Sequence, residues 1–168
     1  MPLGCFRRRA AFRILRKLIG VGSQYAAAFV DADKKPLDGS KTYKLHLPPN
    51  IPAKDFWSIV VYDNQTRSML QTDQRLPAVG SQIGAVANPD TSVDVYFGPT
   101  APAGHEANWV QTIPGKGWNV LLRLYGPLQP WYDKTWRIRH TQLDCPQFSV
   151  ELNGIKYKSI DAMRLYNR

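Results

Sequence analysis

The chain has 168 residues and a mass of 19.0 kDa, about one domain's worth, so it can bury a core without a disulfide or a metal. Its 43% hydrophobic and 21% charged residues, with 13 prolines and 12 glycines, exclude a disordered or fibrous protein. No apolar run approaches the roughly 18 residues that span a bilayer, which excludes an integral membrane helix.

The formal net charge of +9 is concentrated at the N-terminus, where residues 1–22 carry six basic residues and no acid. Phe12, Leu15 and Ile19 have helical spacing there, which predicts a short cationic helix or a solvated arm. Basic residues interrupt every candidate signal-peptide core, so no clear export signal is present. Residues 23–143 carry 12 basic and 10 acidic residues, so nucleic-acid binding by the body is not expected.

The cysteines and histidines indicate neither a disulfide nor a metal site. Cys5 and Cys145 are too few for a scaffold and are interpreted as free thiols. His46, His105 and His140 lack metal-ligand spacing and are interpreted as surface histidines, although folding could still bring them together. We expect no metal and no cofactor.

From residue 43 onward the sequence predicts short strands separated by Gly and Pro. In the last of these strands, Trp118, Val120, Leu122 and Leu124 define an inward face, with Arg123 and its alternating neighbours opposite. A continuous apolar and aromatic run at 56–62 predicts a strand covered on both faces. The predicted strands are 43–47, 56–62, 93–97, 109–113 and 118–125.

A β-hairpin is predicted near the C-terminus, where Asn153-Gly154 separates two strand-like segments. A two-residue turn would match each partner in chemistry, pairing Leu152 with Ile155, Glu151 with Lys156 and Val150 with Tyr157. Ser159 is expected to cap a short helix through 161–163. Many short strands without strand-helix alternation predict an all-β, antiparallel sandwich or barrel.

Polar residues follow the buried run at 56–62 and form the first candidate site. Asp63 and Arg67, with Asp73 further along, could orient a ligand. The alternative is an Asx-type turn in which Asp63 or Asn64 caps the backbone and Arg67 pairs with a local acid.

Aromatic residues form the second candidate site. Tyr125, Trp131 and Trp136 lie close together in sequence with basic residues among them, an arrangement that can stack on sugar rings. Trp118 falls on the inward face and is assigned to the core. Trp131 and Trp136 follow Gly and Pro breaks, which predicts an exposed aromatic rim.

Several short motifs follow one another along the chain. They are Gly22-Ser23-Gln24-Tyr25, Lys54-Asp55-Phe56-Trp57-Ser58, Val61-Tyr62-Asp63 with Thr66-Arg67-Ser68, Val95-Tyr96-Phe97-Gly98-Pro99, Pro114-Gly115-Lys116-Gly117-Trp118 and Arg123-Leu124-Tyr125-Gly126-Pro127. Their order resembles the bacterial domain of unknown function 1214. The resemblance covers roughly residues 22–143.

This resemblance implies a jelly-roll-like β-sandwich that forms the C-terminal half of longer, often exported proteins whose N-terminal half is the domain of unknown function 1254. It implies no reaction. We therefore divide the chain into a basic arm or short helix at 1–22, the sandwich at 23–143, and an extra hairpin with a short helix at 144–168. Export and a cytoplasmic location both stay open, as does a truncated reading frame.

The leading hypothesis is a non-enzymatic module that binds a carbohydrate-like ligand or a protein partner through the Asp63/Arg67 turn and the Trp131/Trp136 rim. A missing partner domain would expose an apolar face, which predicts a homo-oligomer or a separately encoded partner. The alternative is a hydrolase or lyase in which Asp63, Arg67, Asp73 and Tyr125 line a cleft and a carboxyl group has a raised pKa. A third hypothesis is nucleic-acid or anionic-membrane binding through the basic arm.

Overall fold

A computed structural model describes residues 18–138 and the strands at 149–152, 155–159 and 164–166, and this part of the chain forms two β-sheets. The strands are β1 (Ser23–Ala28), β2 (Tyr43–Leu47), β3 (Ala53–Asp63), β4 (Ala78–Gly80), β5 (Val93–Gly98), β6 (Trp109–Gln111), β7 (Trp118–Pro127), β8 (Ser149–Leu152), β9 (Ile155–Ser159) and β10 (Arg164–Tyr166). A 3-10 turn (Glu106–Asn108) precedes β6, and a single helical turn, α1 (Gln129–Tyr132), follows β7. Within the described residues, no helix has the length and apolar character needed to cross a membrane.

Sheet I has the strand order β10-β1-β7-β3-β4, and all of its pairs are antiparallel. Sheet II has the order β6-β5-β2-β9-β8 and contains two parallel pairs, β5 with β6 and β2 with β9. The all-β prediction is confirmed. The fully antiparallel arrangement is wrong for sheet II, because alternation within a strand carries no information about the direction of a distant partner.

One hydrophobic core lies between the two sheets and draws on both. The predicted inward residues of β7 contribute Trp118, Val120, Leu122 and Leu124, none of which has any exposed area. Opposite them, β2 buries the three residues that its alternation predicted, Tyr43, Leu45 and Leu47. This face of each strand therefore follows from sequence alternation alone.

Trp118 joins the two sheets at one end of the core. Its ring meets the ring of Tyr43 edge-on, with centroids 5.4 Å apart, and lies 5.1 Å from the ring of Phe97. Aromatic pairs at these distances stabilise a core beyond the area that they bury. The assignment of Trp118 to the core is confirmed.

The C-terminal strands complete both sheets. β8 and β9 pair with the predicted register, Leu152 opposite Ile155 and Val150 opposite Tyr157, so the two strands of the hairpin are confirmed. β9 then lies parallel to β2, and β10 lies antiparallel to β1. The turn at 153–154, the helix expected at 161–163, both cysteines and the arm through residue 17 lie outside the described residues.

A close backbone approach fixes the loop that precedes β2. Gly39 donates its N–H to the carbonyl of Lys116 and accepts a hydrogen bond from the Thr112 hydroxyl. A Cβ atom on Gly39 would lie 2.0 Å from the carbonyl oxygen of Ile113, too close for any side chain. Only glycine fits between these two loops.

Replacing Gly39 by Ala should therefore destabilise the protein by about 1–3 kcal/mol, because the added methyl group must push two backbone segments apart. Gly117→Ala is the matched control, since its Cβ would meet its nearest neighbour at 3.4 Å, and it has no left-handed backbone to strain. Urea unfolding of both variants measures the difference. Equal midpoints for the two would contradict this account of Gly39.

Candidate functional site

The loop after β3 is organised by the side chain of Asp63. Its Oδ1 accepts hydrogen bonds from the backbone N–H groups of Gln65 (2.7 Å) and Thr66 (3.1 Å). Its Oδ2 lies 3.4 Å from Nζ of Lys116, and the side chain is almost fully buried. This is the Asx-type turn that the sequence offered as the alternative to a binding role.

These contacts also set the charge state of Asp63. Hydrogen bonds from the backbone of Thr66 and Gln65, with a smaller contribution from Lys116, lower the pKa of the Asp63 carboxyl group. The hydrolase or lyase hypothesis called for a raised pKa, so the shift found at Asp63 has the opposite direction. Asp63 is an ionised structural carboxylate.

Arg67 and Asp73 lie on the surface near this loop. Arg67 is exposed, has a left-handed backbone with φ of 59°, and shows no ion pair with a described acid. Asp73 is also exposed, and its carboxylate accepts a hydrogen bond of 3.3 Å from the amide of Gln111. The predicted pairing of Arg67 with a local acid is therefore absent among the described residues.

The predicted aromatic rim is wrong. Trp131 and Trp136 are only 6% and 7% exposed, and both belong to the core, with ring centroids 6.4 Å apart. The indole N–H of Trp136 donates to the carbonyl of Pro49 at 3.1 Å. The Gly and Pro breaks before them turn the chain back over the end of the sandwich instead of outward.

The two halves of the predicted site are also far apart. Asp63 pairs with Trp118 at the start of β7, whereas Trp131 follows the end of β7 at Pro127. Nine residue steps of strand separate these ends, which corresponds to about 30 Å. The Asp63/Arg67 turn and the tryptophans cannot contact one small ligand together.

Tyr125 instead belongs to a different cluster, on the outer side of sheet I. Because Trp118, Val120, Leu122 and Leu124 point into the core, the alternating residues of β7 point away from it. The register places Tyr25 and Ser58 beside Arg123, and Phe56 beside Tyr125. We call this surface the aromatic face; it comprises Tyr25, Phe56, Ser58, Tyr62, Leu121, Arg123 and Tyr125.

Arg123 lies at the centre of the aromatic face, between two tyrosine rings. Its guanidinium carbon is 5.8 Å from the ring centre of Tyr25 and 5.9 Å from that of Tyr62, within cation-π range. One Nη donates a hydrogen bond to the Tyr62 hydroxyl, which is the sole acceptor for this side chain among the described residues. Nε is buried and has no hydrogen-bond partner there.

The aromatic face carries the positive charge of Arg123. Over residues 56–62 of β3 and the outward positions of β1, β4 and β7, Arg123 is the single charged residue that the structure describes. Beside it, Phe56 and Tyr125 stack with ring centres 4.0 Å apart and planes 17° from parallel. At these positions the face therefore offers one cation beside a stacked pair of rings, without an acid to neutralise the cation.

The outer side of sheet II carries a contrasting, fully paired cluster. Nδ1 of His46 lies 2.7 Å from Asp94 Oδ1, while Lys44 Nζ (3.0 Å) and the Asn88 amide (3.2 Å) contact Oδ2. His105, which lies far from His46 in sequence, packs with a tilted ring against Tyr96, in the same strand as Asp94. Folding thus brings two of the three histidines to one surface; His140 lies outside the described residues.

Asp94 is ionised within this cluster. Burial by itself would raise the pKa of its carboxyl group, but hydrogen bonds from His46, Lys44 and Asn88 and the charge of Lys44 outweigh burial and lower it. An ionised carboxylate can only accept, so Nδ1 of His46 is the donor in this hydrogen bond. In the described part of the chain no group of three or more His, Cys, Asp or Glu could hold a metal ion.

The chain is a β-sandwich of two sheets, and sheet I carries the aromatic face with Arg123 at its centre. The chain belongs to the family of proteins of unknown function DUF1214, whose family model matches residues 22–129, from just before β1 to the start of α1. None of the curated proteins compared with the chain matches it.

Two solved structures are similar to this chain. The VPA0106 protein from Vibrio parahaemolyticus is 24% identical with a TM-score of 0.57, and the match covers 66% of this chain and 27% of that one. An uncharacterized protein from Burkholderia cenocepacia is 19% identical with a TM-score of 0.41, over 64% and 31% of the two chains. The first likeness supports the fold. This chain matches less than a third of the length of either structure.

Because Trp131 and Trp136 lie in the core, replacing either by Ala should cost about 3–5 kcal/mol of stability. We expect a fall in the thermal midpoint on the order of 10 °C, measured by circular dichroism. Trp→Phe variants at the same positions should lose less. A midpoint unchanged in Trp136→Ala would contradict its burial.

The lowered pKa of Asp94 predicts an acid-sensitive contribution to stability. The contribution is complete above the ordinary value of 3.8 and is lost as the pH falls through the lower value of the folded protein. Asp94→Asn should therefore lose less free energy of unfolding than the wild type between pH 5 and pH 3. Urea unfolding at both pH values tests this, and identical losses in the two proteins would contradict it.

Proposed function

We propose that the chain is a non-catalytic binding module and that the aromatic face of sheet I holds a carbohydrate-like ligand. The observation that carries the proposal is Arg123, a cation without an acidic partner among the described residues, held between Tyr25 and Tyr62. Solvated outer faces of antiparallel sheets normally carry several charged residues. A mostly aromatic face with one cation is typical of a surface that meets a ligand.

The size of the face favours a small or extended ligand over a large globular partner. Four strands at about 4.8 Å spacing and six residue steps of β3 give a surface of about 14 Å by 20 Å. That is about a third of the roughly 800 Å² that each partner buries in a stable protein complex. A short oligosaccharide would cover it, with sugar rings against Phe56 and Tyr125.

Of the ligand-binding residues predicted from the sequence, only Tyr125 belongs to the proposed site. Asp63, Trp131 and Trp136 already have structural contacts, whereas Arg67 and Asp73 lie on the separate loop after β3. The jelly-roll-like sandwich that the resemblance implies remains part of the proposal, as the scaffold that holds sheet I rigid.

A titration with a panel of neutral and acidic oligosaccharides, followed by amide NMR shifts, tests the proposal. We expect shifts that cluster in β1, β3 and β7, and a loss of binding of at least tenfold in Tyr125→Ala with an unchanged fold.

Arg67→Gln is the control, because its side chain is exposed and lies on the loop after β3, outside the aromatic face. A loss of binding in Arg67→Gln, or shifts confined to residues 63–68, would relocate the site to the loop. The absence of binding to every oligosaccharide would overturn the proposal.

A second candidate is that a protein covers the aromatic face, either another copy of this chain or a separately encoded domain like the domain of unknown function 1254. The length of the solved relatives favours it, since more than two thirds of each lies outside the match. Light scattering over a range of concentrations tests self-association. A dimer that Leu121→Glu dissociates would favour this candidate, and a monomer throughout would exclude the second copy.

A further inference from the structure

We infer that the ligand of the aromatic face carries a carboxylate and that Arg123 binds it, which makes a uronic-acid oligosaccharide the ligand class. This inference rests on the function proposed above and adds the charge that the ligand must bring.

The hydrogen-bonding state of Arg123 supports an anionic ligand. A guanidinium has five N–H donors, and the described residues supply one acceptor, the Tyr62 hydroxyl. The residue is partly exposed although its Nε is buried, so the free Nη donors are the ones that a ligand could reach from the surface of the sheet. A carboxylate matches two parallel N–H donors of arginine, and this bidentate pair is among the strongest hydrogen-bonded contacts in proteins.

The neighbours of Arg123 on one side of the sheet are small. The register places Ser58 and then Gly80 beside Arg123 across the sheet, so side chains become smaller in that direction. Gly80 has no space for a Cβ, which would lie 2.6 Å from the carbonyl oxygen of Trp57.

The spacing of the rings fits a chain of sugars. The Phe56 and Tyr125 pair lies two residue steps along the strands from Arg123, which is about 7 Å. This is close to the size of one pyranose ring. One sugar can therefore lie against the rings while the carboxylate of its neighbour reaches the guanidinium.

An acidic peptide is the other carrier of carboxylates, and the topology makes it less suitable. Peptides usually bind β-sheets by adding a strand at an edge, where backbone groups are free. Arg123 lies on the central strand β7, and β10 already pairs with β1 at Tyr25 to Ala27. The aromatic face offers side chains without free backbone donors.

Calorimetry with tetragalacturonic acid and its methyl ester, on the full chain at neutral pH, tests the inference. We expect the acid to bind wild type at least tenfold more tightly than the uncharged ester. Arg123→Gln should weaken the binding of the acid at least tenfold and abolish the preference for the acid over the ester, and Arg123→Lys should fall between. The control is Arg137→Gln, an exposed arginine whose Nε bonds the carbonyl of Lys134, and it should behave as wild type.

The outcomes separate this inference from the proposed function. Equal binding of acid and ester would overturn the role of the carboxylate and keep the carbohydrate site. Failure of both to bind would overturn the inference, and the wider panel of oligosaccharides would then decide on the carbohydrate site. Arg123-dependent binding of hexaglutamate without binding of the uronate would identify an acidic peptide and overturn the inference. If Arg123→Gln fails to fold, the comparison of acid with ester on wild type and Arg123→Lys decides.

Discussion

Strand β7 is the element on which the rest of this molecule depends. It pairs with β1 on one side and β3 on the other, and its four inward residues are completely buried. Trp118, at its start, contacts Tyr43 and Phe97 of the opposite sheet. The same alternation that sends these residues inward forces Arg123 and Tyr125 outward, so the core and the candidate binding surface arise from one strand.

The charged residues on the outer surfaces of the two sheets have different kinds of partner. On sheet II, Asp94 meets His46, Lys44 and Asn88, so each polar group has a partner and the cluster needs nothing from outside. On sheet I, Arg123 has aromatic rings and one hydroxyl within the described residues. If the proposed function is correct, a cation already held in position on this strand loses little entropy when the ligand binds.

Much of the fold could be predicted from residues, because alternation and turn chemistry are local. The strands of β2, β5 and β7, and the pairing of Leu152 with Ile155, follow from such patterns. β1 was missed because Ala26, Ala27 and Ala28 have little strand propensity, and pairing with β7 decides their conformation.

The candidate site could be predicted only in part. Alternation placed Arg123 and Tyr125 on one outward face, but Tyr25 and Tyr62 join them through pairing between distant strands, which no local pattern records. Trp131 and Trp136 were predicted to be exposed and are buried. A Pro break marks a change of chain direction, but it does not say whether the chain turns toward solvent.

The C-terminal strands have a consequence for solubility. β9 covers β2 at Tyr43 and Lys44, and β10 covers β1 from Tyr25 to Ala27, yet both strands lie beyond the matched region 22–129. Without them, β1 and β2 would each present unpaired N–H and C=O groups, which are templates for aggregation between chains. Pairing with β9 and β10 therefore satisfies these backbone groups within the chain itself.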